Sequence, residues 1–362
     1  MSSTGIPLLK LKGSPTAIGE AHGESIRELV REHVERHREW IFNQSAVPLD
    51  DEKLSALWQP YIAANEVAAK DLVEEMEGIA RGADVPFEHI FQVNSLLDIG
   101  NFRWLDCVRG LVGCTSFVVP HEQGSGETLL GQTYDLASFR LPFNVLLQLQ
   151  PDNGPGQVVY SLAGMVGCAG FNEHGLGINI NYLSSNDCRP GKLHAVVVRQ
   201  VLAARNLADA VAAPVTGPRA GGSHYLVADD AGHVVSVETS AERFWLFYAD
   251  GRPYGHTNHY LSEWLQPAQV IRPTAIGSSI ARYAALRRFL DRDDLTRETL
   301  KQMTADHSSY PRSICAHGGP DEPDNLRGRT IAAMVQSLGE RTMEICNGCA
   351  CESEYQKVGL DG

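Results

Sequence analysis

Cys114 lies in the run Arg109-Gly-Leu-Val-Gly-Cys-Thr-Ser-Phe-Val-Val-Pro120. A cysteine that follows glycine, precedes two hydroxyl residues and opens a β-branched, aromatic stretch is a point where a chain can cut itself. The thiol attacks the Gly113 carbonyl, an ester-level intermediate forms, and water releases Cys114 as a new N-terminal residue. That residue then carries a nucleophile and a base together, a thiol and a free α-amine. The two groups are well matched, because an unperturbed thiol titrates near 8.5 and an α-amine near 7.7–8. Gly113 lacks a side chain, so its carbonyl can be reached and held in a strained geometry. Set against this is a buried core cysteine, which free Cys commonly is. On the dipeptide alone that reading leads.

Four polar clusters elsewhere are left unexplained by a pure core account. They are Gly131-Gln-Thr-Tyr134-Asp135, Gly167 to Asn181 with its many Gly and Asn residues, Gly255-His256-Thr-Asn258-His259, and Ile314-Cys-Ala-His317-Gly followed by Arg327-Gly-Arg329-Thr330.

The elements that must position these residues differ on the two sides of Cys114. Upstream, residues 14–43 read as one helix, opened by Ser14-Pro15 and carried by Ile18, Ile26, Leu29, Val30 and Val34. Gly19 and Gly23, four residues apart, suit a face pressed against another element. A second helix is expected from Asp51 to Arg81 and a third from Val85-Pro86, carrying Ile90, Phe91, Val93 and Leu96. Downstream, Thr115–Val119 and Thr128–Tyr134 form a hairpin pattern around Gly124-Ser125-Gly126. Further strands are expected at 144–150, 157–162, 177–182, 225–228, 234–238, 244–248, 330–336 and 341–346. Helices are expected at 194–212, 278–290 and 295–306. Helices and strands are grouped rather than alternating, which points to a layered α+β fold.

Composition narrows the function. The chain has 362 residues, 43% hydrophobic and 21% charged, ordinary for a globular protein. A net charge of −13 excludes a basic face for nucleic acid or an anionic membrane. No apolar run approaches the roughly 18–20 residues of a membrane span, and no secretory signal opens the chain, so a cytoplasmic location is expected. Eight cysteines in so long a chain do not form a disulfide framework. Cys346-Asn-Gly-Cys349-Ala-Cys351 has a metal-like spacing, but a closed site needs a fourth ligand at matching spacing. Cys315 and His317 lie about thirty residues away and form no second knuckle. The expectation is no metal and no cofactor.

At the clusters above the chain resembles the acyl-coenzyme A:6-aminopenicillanic acid acyltransferase family, autoproteolytic N-terminal-nucleophile acyltransferases and hydrolases. The resemblance runs from Gly13-Ser-Pro-Thr-Ala-Ile-Gly19-Glu-Ala-His-Gly23 and Glu75-Met-Glu-Gly78-Ile-Ala-Arg-Gly82 through Gly113-Cys114-Thr115 and Gly131-Gln132-x-Tyr134-Asp135. It continues through Phe171-Asn172-x-x-Gly175-Leu176 and His256-Thr-Asn258-His259. Each motif is short; their order and spacing together are specific. One departure is Gly348-Cys-Ala-Cys351, which stands for a Gly-x-Pro-Cys-like ending. The resemblance implies a four-layer αββα fold and cleavage between Gly113 and Cys114. Residues 1–113 would become a small helical subunit and residues 114–362 the catalytic one, remaining together as one folded unit. Asp135 is the acid that would orient the Cys114 amine, and Asn258 would offer its amide to the oxyanion. Without the resemblance, Asp135 reads as turn chemistry and Asn258 as a satisfied buried amide.

Thr115, Tyr134, Asn172, His256, His259 and Arg329 are candidates for the substrate or oxyanion environment. The two histidines read more as scaffolding, Arg329 as an ordinary ion pair, and Asn172 with His174 as a hairpin turn. Arg282, Arg287 and Arg288 read as a solvated helix face. The expected activity is cleavage of a small N-acyl compound through a Cys114 acyl-enzyme. Acyl transfer from coenzyme A is the alternative, and a non-catalytic binding module or a metalloenzyme are readings of other classes.

Overall fold

The chain opens with a strand not expected from its sequence, β1 (Leu8–Gly13), and turns into α1 (Pro15–Ser25). Ser14 caps that helix as expected, its hydroxyl accepting from the Ala17 N–H. The helix expected over 14–43 is two, because the backbone leaves the helical region at Ile26 (φ −134°) before α2 (Arg27–Gln44). Likewise, the one expected over 51–81 breaks at Ala69 (φ −160°) into α3 (Asp51–Ala68) and α4 (Lys70–Ala83). The apolar spacing continues across both breaks, so periodicity alone does not reveal them. They let α1 lie directly on α4. A Cβ on Gly19 would sit 2.0 Å from the Glu75 carbonyl oxygen, and one on Gly82 2.3 Å from that of Glu20. Gly23 and Gly78 make equally close approaches, so the two helices touch backbone to backbone. The expected third helix follows as α5 (Phe87–Asn94).

A computed structural model describes residues 5–98, 113–124, 126–271, 273–319, 322–323 and 327–360. Arg109 to Val112, part of the run around Cys114, lie outside them. So do Cys107 and Ser125.

From Gly113 the chain becomes β2 (Gly113–Val119), β3 (Leu129–Ala137), β4 (Asn144–Pro151), β5 (Gln157–Leu162), β6 (Ala169–Asn172) and β7 (Gly177–Tyr182). The expected helix 194–212 is again two, α6 (His194–Leu202) and α7 (Leu207–Ala212), the second capped by Asn206. Then come β8 (Ser223–Ala228), β9 (Val234–Thr239), β10 (Phe244–Tyr248), β11 (Tyr254–His256), α8 (Pro273–Leu290), α9 (Arg297–Thr304), β12 (Gly328–Ser337), β13 (Thr342–Asn347) and β14 (Tyr355–Gly359).

The strands form an eight-stranded sheet, β1-β4-β5-β6-β7-β8-β9-β10, and a six-stranded sheet, β11-β2-β3-β12-β13-β14. The sheets face each other through β2, β3, β7 and β8. α1, α6 and α7 pack on the larger sheet and α8 and α9 on the smaller, which gives the expected four α+β layers. The mainly helical segment upstream of Cys114 also contributes a strand to the larger sheet. β1 pairs in parallel with β4, Leu9 opposite Leu147. Among the described residues no helix is long and apolar enough to cross a membrane.

Strand alternation usually marks one buried and one wet face, but where the two sheets meet the polar face is covered too. Between the sheets lies hydrogen-bonded polar packing. Gln132 Nε2 donates to the Ile180 carbonyl (2.5 Å), Gln336 Nε2 to Asn179 Oδ1 (2.7 Å) and the Ser116 hydroxyl to Asn181 Oδ1 (2.5 Å).

The helical layer holds a buried cation between two rings. Arg140 donates to His33 Nε2 (3.0 Å) and His37 Nδ1 (2.8 Å), while the opposite ring nitrogens donate to the carbonyls of Ala163 and Gln92. Burial, with the nearby Arg140 charge, pushes His33 down to about 3 and His37 well below its usual value. Burial, with Arg199, pushes His22 down to about 4. Each ring is therefore neutral when folded but takes up a proton near 6.5 once unfolded. The stabilisation is complete above about pH 6.5 and is lost as the pH falls towards 3–4, by roughly 1.4 kcal/mol per pH unit for each ring. The thermal midpoint is expected to drop steeply between pH 6.5 and 4.5. A flat profile there in calorimetry would contradict the neutral rings.

Candidate functional site

β2 forms because Thr115, Phe117, Val118 and Val119 favour a pleated surface. Its alternation turns Cys114, Ser116 and Val118 towards the other sheet. Phe117 and Val119 instead join Leu286 and Leu290 of α8 in a smaller core. Antiparallel pairing with β3 sets Gly113 opposite Asp135 and Cys114 opposite Tyr134. A Cβ on Gly113 would lie 2.8 Å from Asp135 Oδ2. Glycine before Cys114 leaves room for the Asp135 carboxylate, which a larger residue would have to displace.

Cys114 is fully buried and gripped at both backbone groups. Its N–H donates to Asn258 Oδ1 (2.8 Å). Its carbonyl accepts from Arg282 Nη1 (2.6 Å) and Asn181 Nδ2 (3.1 Å). Burial and the neighbouring Asp135 charge push the thiol up to about 12, against the opposing pull of Arg282 and the Gln132 amide. Burial also raises Asp135 to about 6, with Arg282 and a 2.7 Å hydrogen bond from the Thr330 hydroxyl holding it back.

Asn258 sits in the turn after β11. Its Oδ1 accepts from both Cys114 and Arg282 Nη2 (2.9 Å), so its amide nitrogen must point away, donating to the Tyr182 carbonyl (3.0 Å). The second N–H of that amide meets no acceptor among the described residues. The turn is braced from two sides. Ser279 of α8 accepts from the Asn258 N–H (2.8 Å) and bonds His259 Nδ1 (2.7 Å). His256 meets Glu238 through Nε2 and the Thr257 carbonyl through Nδ1, both at 2.7 Å, and stacks on His224. Burial alone would raise the Glu238 carboxyl, but His256 and the amides of Leu261 and Ser262 outweigh it and hold it low. His259 is pushed down to about 4 by burial, which keeps it neutral. Both histidines are held by hydrogen bonds within this turn.

The structure corrects the reading of Arg282 and separates the alternatives left open for Asn172 and Arg329. Arg282 is not on a solvated face; it is 3% exposed and bridges Cys114, Asn258 and Thr115 Oγ1 (3.0 Å). The signal was present in the helix period, because Ser279, Arg282, Ala285, Leu286 and Leu290 share the inward face. Asn172 does not face the Cys114 cluster. Its amide donates to the Leu202 and Ala204 carbonyls and accepts from His174 and Leu176, tying a turn to the end of α6. Arg329 meets Cys349 Sγ and Glu352 Oε2, each at 3.2 Å, an ion pair away from the Cys114 cluster. Tyr134 is buried edge-on to Tyr160, sharing the Cys114 face of the sheet.

Sequence reasoning missed Asn181 and Thr330 as well. Asn181 ends the alternating Gly177-Ile-Asn-Ile-Asn run, and that alternation is its only signal. Its side chain joins Ser116, Cys114, His224 and the His256 carbonyl. The arrangement can hold one peptide nitrogen and one carbonyl rigidly beside a thiol and a carboxylate.

A family model described as acyl-coenzyme A:6-aminopenicillanic acid acyl-transferase matches residues 122–350. The 40 kDa form of acyl-coenzyme A:6-aminopenicillanic-acid-acyltransferase from Emericella nidulans is 24% identical over 311 residues, covering 84% of this chain and 83% of that protein. Among solved structures, the Caenorhabditis elegans N-acylethanolamine-hydrolyzing acid amidase ortholog aligns at a TM-score of 0.44 and 16% identity, covering 62% of this chain and 93% of its own. A variant of the conjugated bile acid hydrolase from Clostridium perfringens aligns at 0.45 and 12% identity, covering 68% and 93%.

Proposed function

The chain belongs to the acyl-coenzyme A:6-aminopenicillanic acid acyl-transferase family, and from that premise we propose that it is a self-processing thiol amidohydrolase of small N-acyl compounds. The observation that carries this reading is the double grip on the Cys114 backbone with Asp135 pressed against Gly113. In the uncut chain the thiol adds to the Gly113 carbonyl carbon. The bond to the Cys114 nitrogen breaks, that nitrogen takes a proton, and a thioester to Gly113 forms. One water cleaves the thioester, leaving a Gly113 carboxylate and a Cys114 with free thiol and α-amine. With the thiol near 12 and Asp135 near 6, removing the thiol proton is uphill, which suits a step taken once per molecule.

Cleavage supplies the missing base. An amide nitrogen with no basicity becomes an α-amine titrating near 8, on the residue that bears the thiol. Asn258 Oδ1, which holds that nitrogen before cleavage, would hold it afterwards, and Asp135 would favour its protonated form. During turnover the thiolate adds to the substrate amide carbonyl, and the second N–H of Asn258 stabilises the oxyanion. The leaving amine takes the proton, and water resolves the thioester. Residues 1–113 and 114–362 are proposed to stay associated, supported by the β1–β4 pairing and a core shared by helices and sheet.

Acyl transfer is the second reading, favoured by the name of the Emericella nidulans relative. Hydrolysis is preferred because two of the arginines that could have met coenzyme A phosphates are already engaged, Arg282 with the buried Cys114 carbonyl and Arg329 with Glu352. Processed enzyme given an N-acyl substrate and a graded series of amines tests the choice. Free acid formed at a rate indifferent to amine is expected. Transfer product displacing the acid at low amine concentration would overturn hydrolysis in favour of transfer.

A further inference from the structure

The cysteine-rich end of the chain meets the loop after α9 in a way its spacing does not announce. Cys346 points elsewhere, towards the Gly348 carbonyl. Cys351 instead meets Cys315, their sulfurs 3.6 Å apart. His317 Nε2 lies 3.6 Å from Cys315 Sγ, 3.4 Å from Cys351 Sγ and 3.1 Å from His307 Nε2. All four donor atoms fall within 4.8 Å of one another.

One ring nitrogen engages in one hydrogen bond, so three donors converging on it are not explained by hydrogen bonding. A tetrahedral ion explains them. With bonds of about 2.3 Å to sulfur and about 2.0–2.1 Å to nitrogen, tetrahedral edges are about 3.8 Å (S···S), 3.6 Å (S···N) and 3.3 Å (N···N). The S···S separation, the two His317 S···N separations and the N···N separation follow that pattern. The other nitrogen of His317, Nδ1, faces Glu352 Oε1 at 3.5 Å, and Arg329 holds the same carboxylate. A carboxylate behind a histidine is the usual outer partner of a metal ligand, because it leaves the opposite nitrogen free to bind.

We propose that His307, Cys315, His317 and Cys351 form a zinc site. Two thiolates and two imidazoles in tetrahedral array select zinc, and four protein ligands close the coordination sphere, which marks the site as structural. Binding releases the two thiol protons, so Zn²⁺ with two Cys–SH gives a neutral bis-thiolate, bis-imidazole centre and two H⁺. The site would pin the loop after α9 to the β13–β14 turn. It would also fix Ala316 between two ligands, and Ala316 brackets Thr330 with two backbone bonds of 2.9 Å (N–H to Oγ1, and carbonyl from N–H). Thr330 in turn bonds Asp135. The metal assignment stands independently of the role proposed for Asp135.

Elemental analysis of protein purified without chelator or metal-affinity resin tests it. About one zinc per chain is expected, lost in Cys315→Ser and Cys351→Ser and retained in Cys346→Ser. Glu352→Gln should weaken zinc affinity by about 10–100-fold. Should the cysteine variants fail to fold, wild-type protein stripped by chelator and reloaded with cobalt(II) should develop the visible bands of a tetrahedral thiolate complex. Absence of zinc and of cobalt bands in folded wild type, a Cys315–Cys351 disulfide found by mass, or full zinc retention in a folded Cys315→Ser/Cys351→Ser double variant would each overturn the site.

Discussion

Cys114→Ala is expected to yield one uncut chain of 362 residues, whereas the wild type gives two pieces of 113 and 249 residues by intact mass under denaturing conditions. The same substitution should lower amide turnover on the order of 10⁴–10⁶-fold, the scale on which covalent nucleophiles fail when removed. The two wild-type pieces should still elute together from a sizing column. The smaller one carries β1, which is paired along its length with β4 of the larger. It also carries Ile18, Met76, Ile79 and Phe91, which sit in one core with Leu146, Tyr160 and Val197. Cys114→Ala leaves a buried site short of one sulfur, so its fold should survive and the loss can be read as chemistry. A wild-type chain that remains whole and yet turns over substrate would sink the N-terminal nucleophile.

Arg282→Met carries the second largest expected effect. Arg282 is the cation that holds Asp135 ionised, and it donates to the Cys114 carbonyl, Thr115 and Asn258 at once. Removing it takes a hydrogen-bond fork from the site and leaves a buried carboxylate uncompensated. A fall in kcat/KM of about 10²–10³ is expected, comparable to losing an oxyanion donor. The pH profile gives the sign. Asp135 is proposed to act in its ionised form, so activity should fail as the pH drops through its pKa, which stands near 6 in the uncut chain. Without the guanidinium the carboxylate is harder to ionise, and the acid limb should move to higher pH. Arg282→Lys keeps the charge but loses the planar fork. It should retain the acid limb while losing most of the rate. Thermal midpoints of both variants distinguish this from unfolding, because stranding a buried charge costs about 3–5 kcal/mol. Wild-type processing and rates in a folded Arg282→Met would remove Arg282 from the site.

Much of this molecule was legible along the chain because the responsible physics is local. Ser14-Pro15 announces a helix start, and the β-branched alternation after Gly113 announces a strand. Gly19 and Gly23 mark a close helix contact, since a spacing of four brings both to one face. The pairing of Gly113 and Cys114 with a downstream Asp135 and Asn258 was readable through the resemblance, since residue types alone left Asp135 as turn chemistry and Asn258 as a buried amide.

Other features required the chain to be folded, because they depend on partners distant in sequence. The breaks at Ile26 and Ala69 occur inside continuous apolar patterns and are decided by how α1 reaches α4. Arg282 is 168 residues from Cys114, and only the docking of α8 on β2 turns it from a surface cation into a buried hub. Asn179 and Asn181 look like the wet face of a strand, yet the second sheet covers that face and requires its amides to bond across the gap. The cysteines of the last hairpin suggested a knuckle by their spacing. Tertiary structure separated Cys346 from the group and joined Cys351 to Cys315, His307 and His317, since metal-like geometry is a relation between loops and not a property of one. The sequence by itself determined most of the helical and extended stretches and which residue types could react. Packing of two sheets between helices decided which of those residues meet, because burial and hydrogen-bond partners are set by neighbours that the chain order does not name.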